Sequence, residues 1–323
     1  MEKKNIEEKE FNHVPVMLKE CIDGLAIKSN GIYVDGTLGG GGHSSEILKR
    51  IKTGKLIAID KDEVAISFCR KRFEKESDKI IFVHSDFKDF RSVLSQLGID
   101  KVDGILLDLG VSSYQIDTPE RGFSYRFDGP LDMRMNKDQK KTAYDVVNDS
   151  SAEELLKILY NYGEESFAKL IVNAIVKERN ISPIKTTCEL VKIIENAVPM
   201  KYKLKGSPYK KTFQAIRIEV NGELGGLEGA INEMSKSLNK GGRLVIMTFH
   251  SLEDRIVKNA FNLLCTDCIC DKSLPVCTCH HKAECMHITK KPITASSKEL
   301  EENKRSSSAK LRIVEKIIKN TLC

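Results

Sequence analysis

Residues 32–43 read IYVDGTLGGGGH: an apolar run, an acidic residue, then a turn packed with glycine. Ile32, Tyr33 and Val34 are strand formers suited to burial, and Asp35 closes the run. Glycine has no Cβ, so the backbone from Gly36 to Gly42 can bend tightly and lie against a ligand that any side chain would push away. A helix expected to begin near Ser44 would aim its free N–H groups at whatever anion sits in the turn. A strand delivering an acid into such a loop points to a nucleoside ligand.

Working outward, Lys55 to Asp60, Ile80 to Asp86 and Val102 to Asp108 are short and rich in Ile, Val and Leu, as suits strands buried on both faces. Helical stretches, Glu46 to Ile51 and Glu63 to Phe73, fall between them. This alternation predicts an α/β fold with a mostly parallel, Rossmann-like sheet and right-handed crossovers. It stops near Ile116. From Ser150 to Val198 the period is helical, with capping boxes expected at Ser150/Glu153 and Thr186/Glu189. Two apolar stripes follow, Phe167, Leu170, Ile171, Ala174 and Ile175, then Leu190, Ile193, Ile194 and Ala197. Pro199 ends the run. Strand pattern returns at Arg243 to Phe249 after the turn signal Lys240-Gly241-Gly242. The expected organisation is a disordered tail over 1–12, an α/β domain over 13–115 and 213–323, and an all-helical insertion over 116–212. A cysteine-rich loop spans 265–287.

The bulk numbers exclude several classes. With 41% hydrophobic and 30% charged residues, the 323-residue chain is an ordinary globular protein rather than a disordered one. A net charge of +6 is too small by itself to indicate nucleic acid, so the distribution of charge must decide. No apolar run approaches a membrane span, and the charged start is unlike a signal peptide. Ten cysteines without an export signal read as reduced thiols in the cytoplasm.

Four predicted strands end in acids: Asp35, Asp60, Asp86 followed by Phe87, and Asp108. Any one of them can be a helix cap, but four at successive strand ends should converge on one crevice at the carboxyl edge of the sheet. Asp60 is placed to accept hydrogen bonds from ribose hydroxyls, and Phe87 offers an aromatic face to an adenine. The glycines fit the dinucleotide fingerprint only loosely. An acid before the loop would repel a pyrophosphate, whereas Asp35 could hold an ammonium. S-adenosyl-L-methionine is therefore favoured over NAD.

At this point the chain resembles the RsmH (MraW) family of bacterial methyltransferases, which act on N4 of a cytosine in 16S ribosomal RNA. The resemblance is carried by HVPVML (His13 to Leu18), DGTLGGGGH, AIDKD (Ala58 to Asp62) and DGILLDLGVSSYQID (Asp103 to Asp117). It continues through RGFSYRFDGPLDMRM (Arg121 to Met135), YGEE (Tyr162 to Glu165), TFQAIRIEVNGEL (Thr212 to Leu224) and TFHSLEDRIVK (Thr248 to Lys258). It implies a class I S-adenosylmethionine-dependent methyltransferase fold whose helical insertion grips RNA within the small ribosomal subunit. The family's cofactor contacts fall on Gly41, Gly42, His43, Asp60, Phe87, Asp108 and Gln115. Near the C-terminus, Lys304 and Ser307 stand where the family usually has proline and arginine.

An exocyclic cytosine amine is a poor nucleophile because its lone pair is delocalised, so an acceptor that orients it is needed. Asp108 is the catalytic candidate for that role, behind its implied role as a cofactor contact. Ser112, Ser113 and His250 are second-rank candidates, explained equally well as structural groups. Lys201, Lys203, Lys205, Lys210, Lys211 and Arg217, interleaved with Tyr202, Tyr209 and Phe213, read as a basic RNA-facing loop. Cys265, Cys268, Cys270, Cys277, Cys279 and Cys285, with His280, His281 and His287, are metal-ligand types at Cys-x-Cys spacing, a looser match than the usual zinc pairs. Reduced thiols are the preferred reading, and no metal is assigned.

Overall fold

The computed structural model describes residues 15–204, 206–271, 274 and 276–317. The tail expected over 1–12, and Lys205 of the basic segment, lie outside them. The chain divides into two compact units, an α/β unit and a helical unit covering Val111–Leu224. The helical unit therefore extends past the expected limits of 116 and 212 at both ends. The reason at its far end is one unbroken helix, Lys210–Asn221, which buries Phe213, Ala215, Ile216 and Val220 in the helical core.

The α/β unit is built on a seven-stranded sheet of order β3-β2-β1-β4-β5-β7-β6. Strands β1 (Ile32–Asp35), β2 (Lys55–Asp60), β3 (Ile80–His84), β4 (Val102–Asp108) and β5 (Leu238–Thr248) pair in parallel. Strand β7 (Lys310–Lys316) runs antiparallel to both β5 and β6 (Cys285–His287). Side chains alternate across the sheet, as strand geometry requires. Val34, Ile57, Ile59, Ile105, Leu107, Leu244 and Ile246 join one core with helices Phe90–Gln96, Leu227–Lys236 and Ser251–Leu264. Tyr33, Leu56, Ala58, Leu106, Val245 and Met247 join a second core with helices α1 (Leu18–Leu25), α2 (Gly42–Arg50) and α3 (Glu63–Arg72). Both faces are buried, so the central strands carry almost no polar residue until they reach the edge.

Strand β5 begins earlier than its apolar run suggested. Pairing jumps from Val102 opposite Leu238 to Gly104 opposite Arg243, so Asn239–Gly242 bulge inside the strand. Gly241, at φ 73°, supplies the left-handed backbone this needs. The expected turn before the strand is thus a bulge within it.

In the helical unit, helices Ala143–Asp149, Ala152–Gly163, Ala168–Arg179, Thr187–Ala197 and Lys210–Asn221 enclose one core that includes Leu155, Ile171, Leu190 and Ile216. The capping box at Thr186/Glu189 is present. The other box lies one residue beyond expectation: Ser151 accepts from Glu154 N at 3.2 Å, and Glu154 accepts from Ser151 N at 2.7 Å. Ser150 instead terminates the preceding helix in extended conformation, which leaves Ser151 as the first residue able to cap. Ser151→Ala should therefore destabilise the protein by about 1 kcal/mol in urea unfolding, with Ser150→Ala within about 0.5 kcal/mol of wild type; the opposite ranking would refute the assigned cap.

Candidate functional site

Strand β1 lies between β2 and β4, so chain order reverses across it. The open edge at that switch point is where an α/β sheet offers a ligand crevice. The loop leaving β1 spans the reversal by backbone bonds. Gly36 N donates to Leu106 O of β4 at 2.9 Å, and Leu38 N to Ile59 O of β2 at 3.1 Å. Its far end is held as well, by Cys69 Sγ on Gly39 O at 3.4 Å and Arg72 Nη1 on Gly40 O at 2.6 Å.

Two glycines here are demanded by space. A Cβ on Gly41, at φ 74°, would sit 2.6 Å from the Phe73 ring and 2.9 Å from Cys69 Sγ. One on Gly42 would meet Pro15 Cγ at 2.1 Å. Helix α2 starts at Gly42, earlier than the expected Ser44, and no side chain caps it. Its first N–H groups therefore face the turn.

The four strand-end acids have different fates. Asp35 is fully buried and turned inward, accepting from Thr37 N at 3.2 Å and Ser44 Oγ at 2.7 Å. It shapes the loop, which corrects the expectation that it meets a ligand ammonium. Asp60 accepts from Gly39 N and Asp62 N, both at 2.8 Å, one on each oxygen. Each oxygen keeps a second lone pair, suited to a ribose hydroxyl. Asp86 lies beyond β3 and caps the turn Phe87–Asp89 through Lys88 N at 3.0 Å, so for this residue the helix-cap reading holds. That cap brings Phe87 to the loop, its Cβ 3.3 Å from where a Cβ on Gly36 would lie.

Asp108 differs from the other three. Its backbone N–H donates to Thr37 Oγ1 at 2.6 Å, but its carboxyl Oδ1 is buried and has no hydrogen-bond partner among the described residues. Oδ2 lies 3.8 Å from His43 Nδ1. His43 is buried, and burial lowers its pKa to about 4, so it is neutral at pH 7 and the two do not form an ion pair. His43 Nε2 likewise lacks a partner among the described residues. Burial, then repulsion from Asp35 and Glu253, pushes Asp108 up to about 8. Burial also raises Asp35 and Asp60 to about 6 each. Three carboxyls on one poorly solvated edge favour a cationic ligand and disfavour a pyrophosphate. With the glycine cradle and the open Asp108 oxygen, the edge fits a sulfonium nucleoside.

Thr37, Ser44, Cys69 and Phe73 also build this site, and the sequence reading missed them. Thr37 could have been found, since it sits inside the glycine run. The others act through contacts between separate elements.

Of the remaining candidates, Ser112, His250 and Arg217 hold local structure. His250 caps helix Ser251–Leu264 through Nδ1, and its Nε2, 3.1 Å from Glu253 Oε1, is poorly aligned for a hydrogen bond. Ser112 and Gln115, in the helical unit, form a reciprocal capping box at the start of helix Ser113–Asp117. Arg217 pairs with Glu223 through two 2.8 Å bonds, so it is not a spare cation of the basic segment. Tyr209 and Phe213 pack against Tyr125, and Tyr202 against Phe167. Lys201, Lys210 and Lys211 are exposed and Lys203 is half-buried, with Lys211 Nζ on Glu164 O at 2.8 Å. Lys304 and Ser307 are exposed on a short 3-10 turn, so neither alters the core. Among the described residues no helix is long and apolar enough to cross a membrane.

Comparison with known proteins gives this site a context. The chain is 55% identical over 309 residues to ribosomal RNA small subunit methyltransferase H of Clostridium botulinum (strain Kyoto / Type A2), covering 95% of this chain and all of that protein. It is 52% identical to the proteins of the same name from Clostridioides difficile and Finegoldia magna, again across their whole length. Among solved structures, a putative rRNA-methylase from Clostridium thermocellum covers 94% of the chain at 11% identity and a TM-score of 0.42. A putative methyltransferase from Streptococcus mutans, in complex with SAH, covers 94% at 12% identity and a TM-score of 0.42. The model of the MraW methylase family matches residues 10–317, and with relatives more than half identical along their full length, the chain belongs to that family of S-adenosylmethionine-dependent methyltransferases.

Proposed function

We propose that this protein methylates N4 of a cytosine in the 16S ribosomal RNA of the small subunit, in the cytoplasm. The observation that carries the choice of an amino group is the buried, unpartnered Oδ1 of Asp108 at the carboxyl edge of the sheet. The RNA substrate is supported by the names of the relatives, all ribosomal RNA small subunit methyltransferases.

In this reading Gly41, Gly42 and His43 hold the methionine part of the cofactor, Asp60 its ribose and Phe87 its adenine, with Asp108 as a further contact. When bound, the sulfonium supplies a methyl group already attached to a good leaving group. The protein has to align the amine, exclude water and manage one proton. Asp108, largely protonated at pH 7 in the empty edge and ionised beside a cation, accepts a hydrogen bond from the exocyclic amine, directs the nitrogen lone pair and takes up the proton the amine loses on methylation. Neutral His43 beside it adds no competing cation. The helical unit contributes RNA contacts through Lys201, Lys203 and Lys210, which attract phosphate without reading sequence.

Mapping modified nucleotides in 16S RNA from a deletion strain and its complemented parent tests the proposal directly. One N4-methylated cytosine should vanish and return, whereas loss of a mark on a ring carbon or another base would overturn it.

Asp108→Asn should lower kcat about 100-fold at saturating cofactor, while calorimetry finds most of the affinity for S-adenosylhomocysteine kept. Collapse of that affinity with normal turnover at saturation would remove the catalytic role. The same variant tests the electrostatics. Folding raises the Asp108 pKa, so the native state holds its proton more tightly than the unfolded chain. Stability contributed this way is complete below about pH 4 and is lost as pH rises through about 8. The Tm advantage of Asp108→Asn over wild type should therefore grow between pH 5 and pH 8.5; a constant difference would contradict the shift.

Replacing Lys201 and Lys203 by glutamine should raise KM for RNA and make the logarithmic salt dependence shallower by about 1 to 2, with cofactor affinity intact. An unchanged salt slope would exclude these lysines as phosphate contacts.

A further inference from the structure

The cysteine-rich segment resolves into two kinds of thiol. Cys285 is buried in the core beneath one face of the sheet, and Cys265 packs against it. Burial raises their pKa values to about 11 and about 12, as expected of inert thiols. Cys268, Cys270, Cys277 and Cys279 are different. Their four sulfur atoms all lie within 4.8 Å of one another. Sγ separations are 3.5 Å for Cys268–Cys277, 3.6 Å for Cys277–Cys279, 3.8 Å for Cys268–Cys279 and 4.0 Å for Cys270–Cys277. A tetrahedron of Zn–S bonds has edges of about 3.8 Å. These separations match that figure.

The backbone supports the same arrangement. Each Cys-x-Cys pair turns the N–H of its middle residue toward the second cysteine of the other pair. Ile269 N donates to Cys279 Sγ at 3.4 Å, and Thr278 N to Cys270 Sγ at 3.3 Å. The pairs thus face each other with approximate two-fold symmetry across a common centre.

Among the described residues the surrounding chain is held by scattered polar contacts, such as Ala283 N on Asp267 Oδ1 at 3.2 Å. Between helix Ser251–Leu264 and β6, the described residues form no helix or strand. Ile269, Leu274 and Val276 are 54%, 50% and 71% exposed, so the described residues of the segment bury no apolar core of their own. Short segments without a core commonly depend on a structural metal.

We propose that Cys268, Cys270, Cys277 and Cys279 bind one Zn²⁺ in a closed tetrahedral site that folds this loop. Binding releases the thiol protons to solvent and leaves four thiolate–zinc bonds. With four protein ligands there is no open coordination position, so the role is structural rather than catalytic. The Cys-x-Cys spacing, which made zinc a loose match in sequence, is accommodated because the two pairs meet crosswise.

The test uses the full chain, expressed with zinc in the medium and purified under reducing conditions without chelator. Elemental analysis should find about one zinc per chain, and Cys277→Ser/Cys279→Ser should retain less than a tenth of it. Cys188→Ser, outside the cluster, should keep the metal in full. Cobalt added after chelation should give the intense thiolate charge-transfer and tetrahedral ligand-field bands of a four-sulfur site. Tryptic cleavage at Lys282 should accelerate only after chelation. Metal-free wild type with all cluster thiols reduced and titratable would overturn the proposal, as would iron in place of zinc, or zinc retained by the double variant. The wild-type metal content decides the matter even if that variant misfolds.

Discussion

The site depends on two backbone hydrogen bonds, Gly36 N to Leu106 O and Leu38 N to Ile59 O. They fasten one turn to the strands on either side of β1, where the direction of winding reverses. Once the turn is held there, the rest follows from close packing. Gly41 rests on Phe73 and Cys69, Gly42 on Pro15, and Gly36 leaves room for Phe87. Side chains at those positions would collide with the packed interior. The apolar strands and helices below are the support that keeps this small loop in one conformation.

That support also produces the electrostatics. A sheet buried on both faces must end its strands in groups that are partly shielded from water, and here three of them are carboxyls. Burial raises Asp35, Asp60 and Asp108 together, most strongly Asp108. Asp35 is compensated by Thr37 and Ser44, and Asp60 by two backbone N–H groups. Asp108 Oδ1 lacks such compensation among the described residues. An edge of this kind is costly to ionise when empty and favourable when a cation arrives, which suits a sulfonium cofactor.

The cysteine loop and the helical unit show two ways of holding chain without this sheet. The helical unit closes its own apolar core and fixes helix starts with reciprocal caps such as Ser151/Glu154. The cysteine loop exposes its apolar residues and brings four sulfurs together instead.

The strand–helix alternation and the glycine turn were legible because they are local. Period-two burial, helical stripes and a run of glycines are written in consecutive residues, and so was the family resemblance. The sequence also placed acids at strand ends, but it could not tell a helix cap from an open acceptor. Asp86 and Asp108 look alike in the chain, and only the fold gives Asp86 a Lys88 N–H to accept and leaves Asp108 Oδ1 without one. Likewise Arg217 read as a spare cation until Glu223 was seen beside it, and six cysteines read alike until four sulfurs met. The composition of each element was set by its own residues. Which polar groups find partners was decided by tertiary structure, because hydrogen bonds, ion pairs and desolvation depend on distances between segments far apart in the chain.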